Sequence, residues 1–438
     1  MALTVGVART CITPPLGTSL AGYFNDRKAV DVHDDLHVRA LVVSDGAATL
    51  ALVTCDLICC PREVLDRAKE LTHLRTGIPP AQITVACTHT HTGPATTGLL
   101  GAVKEEAYNE WLAPRIADAL QMAHRRLQPA VACWGVGSEP DEVHNRRWHM
   151  RDGSVVMNPP VAGPDLVRPA GPIDPDVGVL AFERADGTPI AAVVNYALHY
   201  VGGGHGLEVS ADYFPLVEAE LNRMVDAHFP VLMTNGCCGD INNINFREPN
   251  PPRPSRDPWA QARHVARVVA AEAVRVWEQS RRHPEVAVSA ASRETPVARR
   301  TSTRKELDEA ARVAGMTAEE AGLTFVQWQM AREKLMVAKL PEVLPTLVSA
   351  GRVGEVAWAA LPGEVFCEFG LAIKERSPFG QTMPIELAND YVGYVCTPEA
   401  IQQGGYETWL ARSSMPTGEG GWALTEAAVE LLKGLAGR

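Results

Sequence analysis

The stretch Cys87-Thr88-His89-Thr90-His91-Thr92-Gly93-Pro94 holds two histidines one residue apart, behind an apolar run containing Ile83 and Val85 and ahead of a Gly-Pro turn. Side chains two positions apart on an extended segment point to the same side. His89 and His91 are therefore expected to project together from the end of a strand. Imidazole is the commonest metal ligand and the commonest acid or base at neutral pH, so the pair points to a metal or catalytic site. Other apolar runs end on chemically capable residues as well: His199, Asp240, Glu364 and Tyr394. Open α/β sheets bind ligands beyond the carboxyl ends of their strands. Two imidazoles and a carboxylate make the three-ligand set of a catalytic zinc site, with a position left for water. A metal held there moves the pKa of that water towards neutrality and polarises a carbonyl.

Around these residues the hydrophobic pattern predicts alternating strands and helices. Val5 to Thr10 reads as a strand, and the runs Leu36 to Val43 and Thr49 to Thr54 flank a Ser44-Asp45-Gly46 hairpin turn. Pro61 to Leu71 is an amphipathic helix with Pro at its first turn. Ile83 to Thr88 delivers the histidine pair, and Glu105 to Leu127 follows as a long helix. Residues 138–175, rich in Pro, Gly, Arg and His, read as an irregular covering loop. A buried strand then runs from Ile190 to Leu198 and ends at His199; helices follow at 215–225 and 260–279, with the apolar run 230–233 between them leading to Asp240. The glycine-rich 202–206 segment reads as a flexible rim beside His199, with His205 facing the pocket. Residues 296–345 form a helical excursion, read as a solvated face or a subunit contact. Val353 to Leu361 returns to strand before Glu364, Ile385 to Ala388 leads to Tyr394, and Thr425 to Lys433 closes the chain as a helix capped by Thr425. No internal repeat is visible. The class is α/β, with mixed β-sheets flanked by helices and ligands at strand ends, in one domain over 1–438 with the insertion at about 296–345.

With 52 acidic against 41 basic side chains, the net charge of -11 argues against a nucleic-acid partner, which needs Lys/Arg patches. No apolar run is long enough to span a bilayer. The N-terminus lacks the basic and apolar regions of a secretion signal, and the ten cysteines contain no Cys-x-x-Cys pair. A reduced, cytoplasmic protein is expected, with cysteines serving as small core residues.

In these motifs the chain resembles the catalytic domain of the neutral/alkaline, non-lysosomal ceramidases. The matching stretches, in order, are Thr88 to Pro94, Asn145-Arg146, Asn195 to His199, Ser210-Ala-Asp212, Asn235 to Asp240, Pro362-Gly-Glu364, Asn389 to Tyr394 and Gln403 to Glu407. The resemblance implies a zinc ion held by His89, His199, Glu364 and Tyr394, with His91 beside it as hydrogen-bond donor or proton shuttle. It places Arg146 and Tyr406 in the pocket, holding substrate or the developing oxyanion, and Asp240 with the catalytic group. Asn242, Asp212 and His205 are read as substrate contacts. Where the family has Gly-Asp-Val-Ser-Pro-Asn, this sequence reads Gly239-Asp-Ile-Asn-Asn-Ile244, so Asn242 stands at a serine implicated in the family's site. An amide is neither a nucleophile nor a base. The chain is similar to a short form of the family without its C-terminal β-sandwich.

The leading expectation is a zinc hydrolase that cleaves an amide with activated water, either an N-acyl, lipid-derived amide or a smaller soluble one. Two alternatives stay open. One is a metal-dependent lyase or isomerase in which His91 or Asp212 moves a proton on a small carbonyl or hydroxy substrate. The other is a non-catalytic binding protein with a vestigial metal site. The sequence leaves room for a homo-oligomer. There is no Gly-x-Ser-x-Gly elbow, no phosphate-binding Gly-Lys-Ser/Thr loop and no His-Glu-x-x-His helix.

Overall fold

Three times along the chain, three antiparallel strands are followed by a helix, a fourth strand parallel to the third, and a second helix. The computed structural model describes residues 3–248 and 257–437. In the first sheet the strands are Thr4–Cys11, His37–Ser44 and Thr49–Cys55, then Ile83–Cys87 after the helix Arg62–Thr76; the helix Glu106–Arg125 follows. The second sheet uses Val131–Ser138, Asp176–Glu183 and Pro189–Tyr196, then Val231–Asn235 after the helix Phe214–Met224, with Ala260–Gln279 after it. The third uses Val288–Glu294, Leu347–Val353 and Val356–Ala360, then Gln381–Ile385 after the helix Cys367–Arg376, with Gly418–Ala436 last. Parallel neighbours need a crossover, and the intervening helix supplies it. The repeat absent from the sequence is thus present in the topology. It is carried by connectivity, which many residue choices satisfy.

The three sheets share one core. Leu41 and Leu52 of the first pack with Phe182 and Val193 of the second and Trp358 and Ile385 of the third, all at most 1% exposed. The opposite face of each sheet is covered by its own helices: Ile116 and Leu120 against the first, Val217 and Val269 against the second, Phe369 and Leu424 against the third. Each such burial contributes about 1.5–3 kcal/mol. Strands covered on both faces read as continuous apolar runs, which is why 190–198 and 353–361 were legible. All ten cysteines are free thiols, and all but Cys11 are buried. No described helix is long and apolar enough to cross a membrane.

The fourth strands of the three sheets meet in the middle. Cys87 N–H donates to the Leu387 carbonyl (3.1 Å), Asn389 N–H to Val85 (2.8 Å) and Glu386 N–H to Asn235 (3.1 Å). Their carboxyl ends therefore open on one place, as open α/β sheets require of a ligand site.

Two expectations change, and the helical excursion expected at 296–345 is present. Residues 138–175 are not wholly irregular: Arg147–Met150, Val155–Met157 and Leu166–Pro169 form a small sheet, and His144–Asn145 pairs with Ile241–Asn242. The excursion contains two helices, Arg304–Ala314 and Phe325–Val337, each opened by a capping box on Thr303 or Thr324. It is anchored to the body, because buried Glu333 accepts from Leu100 N–H (3.1 Å) and from Arg412 Nε (2.8 Å) and Nη2 (2.7 Å). The last helix starts at Gly418 with Thr417 as its cap, and Thr425 lies inside it, bonded to the Gly421 carbonyl. The glycines of its first turn mark close packing: a Cβ on Gly421 would stand 2.3 Å from Phe369, whereas Gly434, expected just past the helix end, lies inside it in open space.

Candidate metal centre

The strand Ile83–Cys87 stops two residues before His89. The chain then turns, held by Thr88 N–H on Cys55 (3.0 Å) and His89 N–H on Leu57 (2.8 Å). His89 takes a left-handed φ of 70°, a conformation uncommon outside glycine and found where the surroundings enforce it. The two histidines converge through this turn, and not through the alternation of an extended strand. Their ring centroids are 4.8 Å apart.

His89 Nδ1 donates to the Ile58 carbonyl at 2.8 Å, and His199 Nδ1 donates to the Cys238 carbonyl at 3.0 Å. Each bond fixes the tautomer and leaves Nε2 as a lone pair. Those two Nε2 atoms face each other at 3.0 Å, and His91 Nε2 stands 3.2 Å from that of His89. Glu364 Oε2 lies 3.4 Å from His89 Nε2 and 3.6 Å from His199 Nε2 and is buried without a hydrogen-bond partner. Its other oxygen accepts the Tyr391 hydroxyl at 2.7 Å. The short ladder between Glu364–Val365 and Tyr394–Val395 pairs Glu364 with Tyr394.

Lone pairs 3.0 Å apart repel unless a proton or a metal ion lies between them. Four donors at about 2.0–2.2 Å from one zinc stand roughly 3.4 Å from each other, so the spacing of His89, His199 and Glu364 fits that ion. The electrostatics agree. Burial, and then the charge of a neighbouring His89, hold His199 and His91 well below the usual imidazole range. Burial lowers His89, but Glu364, together with the Ile58 carbonyl and Glu386, more than offsets it and His89 is raised; Glu364 is lowered against its burial by His89. Without metal, one proton is stabilised where a cation would sit.

Around this centre, Arg146 donates to Glu407 Oε1 at 2.8 Å and to the Tyr394 hydroxyl at 3.0 Å, and Arg147 holds the second Glu407 oxygen at 2.9 Å. Burial and Glu364 raise the Tyr394 phenol, with Arg146 opposing them. Tyr406 sets its ring edge against Tyr394, centroids 5.7 Å apart. A cavity of about 40 Å³ is lined by Tyr23, Leu100, His91, Glu364, Tyr394 and Tyr406. A larger open groove of about 1000 Å³ runs past Arg9, Arg184 and His228, and none of the candidate residues lines it.

Six expected residues stand outside the cavity lining. His199 belongs to the imidazole cluster and Arg146 to the Tyr394–Glu407 contacts beside it, while Asp240, Asn242 and Asp212 make structural contacts and His205 makes none with the cluster. Asp240 accepts Asn145 Nδ2 at 2.6 Å and Cys367 N–H at 2.9 Å, so both carboxylate oxygens are occupied with structure. Asn242 bonds Asn158 (2.7 Å) and Ile244 N–H (2.9 Å). Asp212 accepts the N–H groups of Val201 (3.0 Å), Gly202 (2.8 Å) and Tyr213 (2.7 Å), which sets the backbone beyond Tyr200. His205 is exposed on the glycine-rich loop.

Several residues of the site were missed. Glu407 follows Tyr406 in a motif already singled out. Glu386 is a lone acid at the end of an apolar strand run, the same signal that marked Glu364. Tyr391 lies inside the Asn389 to Tyr394 motif already singled out, whereas Tyr200 carried no signal distinguishing it from a core aromatic.

The whole chain superposes on the crystal structure of neutral ceramidase from Pseudomonas aeruginosa with a TM-score of 0.76 at 19% identity, covering 75% of that structure. The chain has a neutral ceramidase-like fold. A ceramidase complexed with C2 gives a TM-score of 0.77 at 18% identity, covering 100% of this chain and 76% of that one. In sequence, the neutral ceramidase of Pseudomonas aeruginosa is 27% identical over 195 residues, 41% of this chain. That match spans 27% of the relative's own length. No family model matches the chain. The expected α/β class and ceramidase resemblance therefore hold at the level of the ceramidase-like fold.

Proposed function

We propose that this chain is a zinc-dependent amidohydrolase acting on a ceramide-like N-acyl amide. One observation carries the reading: His89 Nε2, His199 Nε2 and the unpartnered Glu364 Oε2 lie within 3.6 Å of one another, with both imidazoles fixed in the ligand tautomer. His89, His199 and Glu364 would hold the metal, with Tyr394 as the fourth ligand. Zinc there supplies polarisation of the amide carbonyl and a water of near-neutral pKa. His91, kept neutral by burial and by the neighbouring His89, Arg27 and Arg146, is the proton carrier. It accepts a proton from water as the water oxygen bonds to the carbonyl carbon. It returns that proton to the amide nitrogen as the C–N bond breaks, so that one water yields an acid and an amine. Arg146, oriented by Glu407, and Tyr406 supply donors to the oxyanion that develops between these steps. The likeness to ceramidases supports amide hydrolysis over the lyase and binding alternatives.

The test is hydrolysis of a fluorescent short-chain ceramide by zinc-loaded protein, with His89→Ala as the blank. Turnover well above the blank is expected. Stoichiometric zinc without turnover would remove ceramide-like substrates and move the search to smaller amides.

A further inference from the structure

Glu386 is fully buried where the three sheets' fourth strands meet. Its Oε2 accepts the backbone N–H of Val365 at 2.7 Å and that of Cys238 at 3.1 Å, and its Oε1 accepts the Cys238 thiol at 2.9 Å. Val365 directly follows Glu364. The Cys238 carbonyl is the acceptor that orients His199. On the main chain, Glu386 N–H donates to Asn235 (3.1 Å), whose side-chain amide donates to the carbonyl of Thr88 (3.1 Å), the residue before His89. One residue is thus joined to the backbone beside Glu364, to the backbone group that orients His199, and through Asn235 to the backbone beside His89, and each of the three candidate ligands comes from a different sheet.

The same point is built for close approach. Gly239 N–H donates to the Val365 carbonyl at 2.9 Å, and a Cβ on Gly239 would stand 2.6 Å from the Glu364 carbonyl oxygen. The segment that orients His199 and the segment that bears Glu364 lie against each other with no side chain between them. A buried carboxyl in such a place is costly unless its acceptors are used, and here both oxygens are.

We infer that Glu386 is the positioning residue that sets the candidate ligands His199 and Glu364, and through Asn235 also His89, at metal-binding distances. This rests on the metal-site reading above. Removing the residues that orient ligands weakens metal binding by about 10–100-fold in known sites. Glu386→Gln keeps an oxygen for the two N–H groups and turns its NH2 to the Cys238 sulfur, whereas Glu386→Met keeps the volume and loses every acceptor.

Zinc affinity is measured by competition with a chromophoric chelator, and site geometry by the visible spectrum of the Co2+-loaded protein. Glu386→Gln is expected to bind zinc within about threefold of the parent, and Glu386→Met about 10–100-fold more weakly with an altered Co2+ spectrum. Ile116→Ala, a core cavity far from the site under the first sheet, controls for stability: its zinc affinity and spectrum should match the parent. Unchanged affinity in Glu386→Met, or an equal loss in Ile116→Ala, would overturn the inference. If the parent takes up no zinc, the metal reading itself fails, and the metal-free protein decides the role of Glu386. The His199 Nδ1–H resonance is expected to exchange slowly in the parent, to persist in Glu386→Gln and to vanish in Glu386→Met; persistence in Glu386→Met would overturn the inference.

Discussion

Tyr200 lies flat against His91, ring centroids 3.6 Å apart and planes 17° apart. On another side the His91 ring presses on the backbone of Gly22, where a Cβ would stand 2.7 Å from Cγ and Nδ1. The candidate proton carrier is therefore held by groups from segments distant in sequence, while its Nε2 points at the ligand cluster.

Replacing His89 by Ala should remove bound zinc and activity together, read by metal analysis and turnover. Stoichiometric zinc in the variant would refute its assignment as a ligand. His91→Ala should keep the metal and slow hydrolysis on the order of 100- to 10,000-fold, the usual loss of a general acid–base. Zinc loss in His91→Ala instead would make His91 a ligand.

Gly22→Ala tests the packing of His91. The residue has a φ of 103°, and its new methyl would overlap the imidazole. Displacing a catalytic group by about 1 Å costs up to about a hundredfold in rate, so kcat should fall by roughly 10–100-fold with zinc retained. An unchanged kcat would show that His91 does not need this position.

Glu333→Ala tests the seating of the helical insertion. It leaves the Arg412 guanidinium with only the Gly98 carbonyl as acceptor and removes the acceptor of the Leu100 N–H. Losing one partner of a buried pair costs about 3–5 kcal/mol; with Arg412 one-quarter exposed, solvent screening lowers this to roughly 2–3 kcal/mol. Urea denaturation would measure it, and a loss below about 0.5 kcal/mol, typical of a surface change, would mean that the insertion is a solvated appendage after all.

Metal-free protein should lose stability as pH falls below about 6.5. His91 and His199 are held below the ordinary imidazole value of 6.5 by burial and by neighbouring His89, so each takes up a proton on unfolding in that window, and stability rises with pH there. His89 acts in the opposite sense: raised by Glu364, its contribution is full below 6.5 and fades as pH climbs through its folded pKa. Glu364, lowered, adds stability above 4.5 that is lost as pH falls through its folded pKa. His37, His144 and His149 are depressed as well and act with His91 and His199; the buried Glu386 and Glu368 carboxyls, raised to about 8 and about 7, keep protons that the unfolded chain releases and act with His89 in the opposite sense. Five depressed imidazoles against these three groups leave stability rising with pH in this window. A urea midpoint at pH 5.5 equal to or above that at pH 7 would contradict this balance.

By itself the sequence determined the strand runs, the helices and the residues able to bind metal. Hydrophobic periodicity is a local property, and His89, His91, His199, Glu364 and Tyr394 stand at the ends of runs that any reading of burial would find. It also carried enough motif to point to the ceramidase-like fold. Only the tertiary structure decided how those residues meet. The left-handed turn at His89, the tautomers set by Ile58 and Cys238, and the junction at Glu386 depend on backbone groups from distant segments, and backbone groups leave no mark on residue type. For the same reason Asp240 and Asp212 read as chemistry in the sequence and prove, in space, to have their oxygens taken by N–H groups. The threefold repeat was invisible because a topology is kept by the order and direction of its strands, whatever apolar side chains fill them.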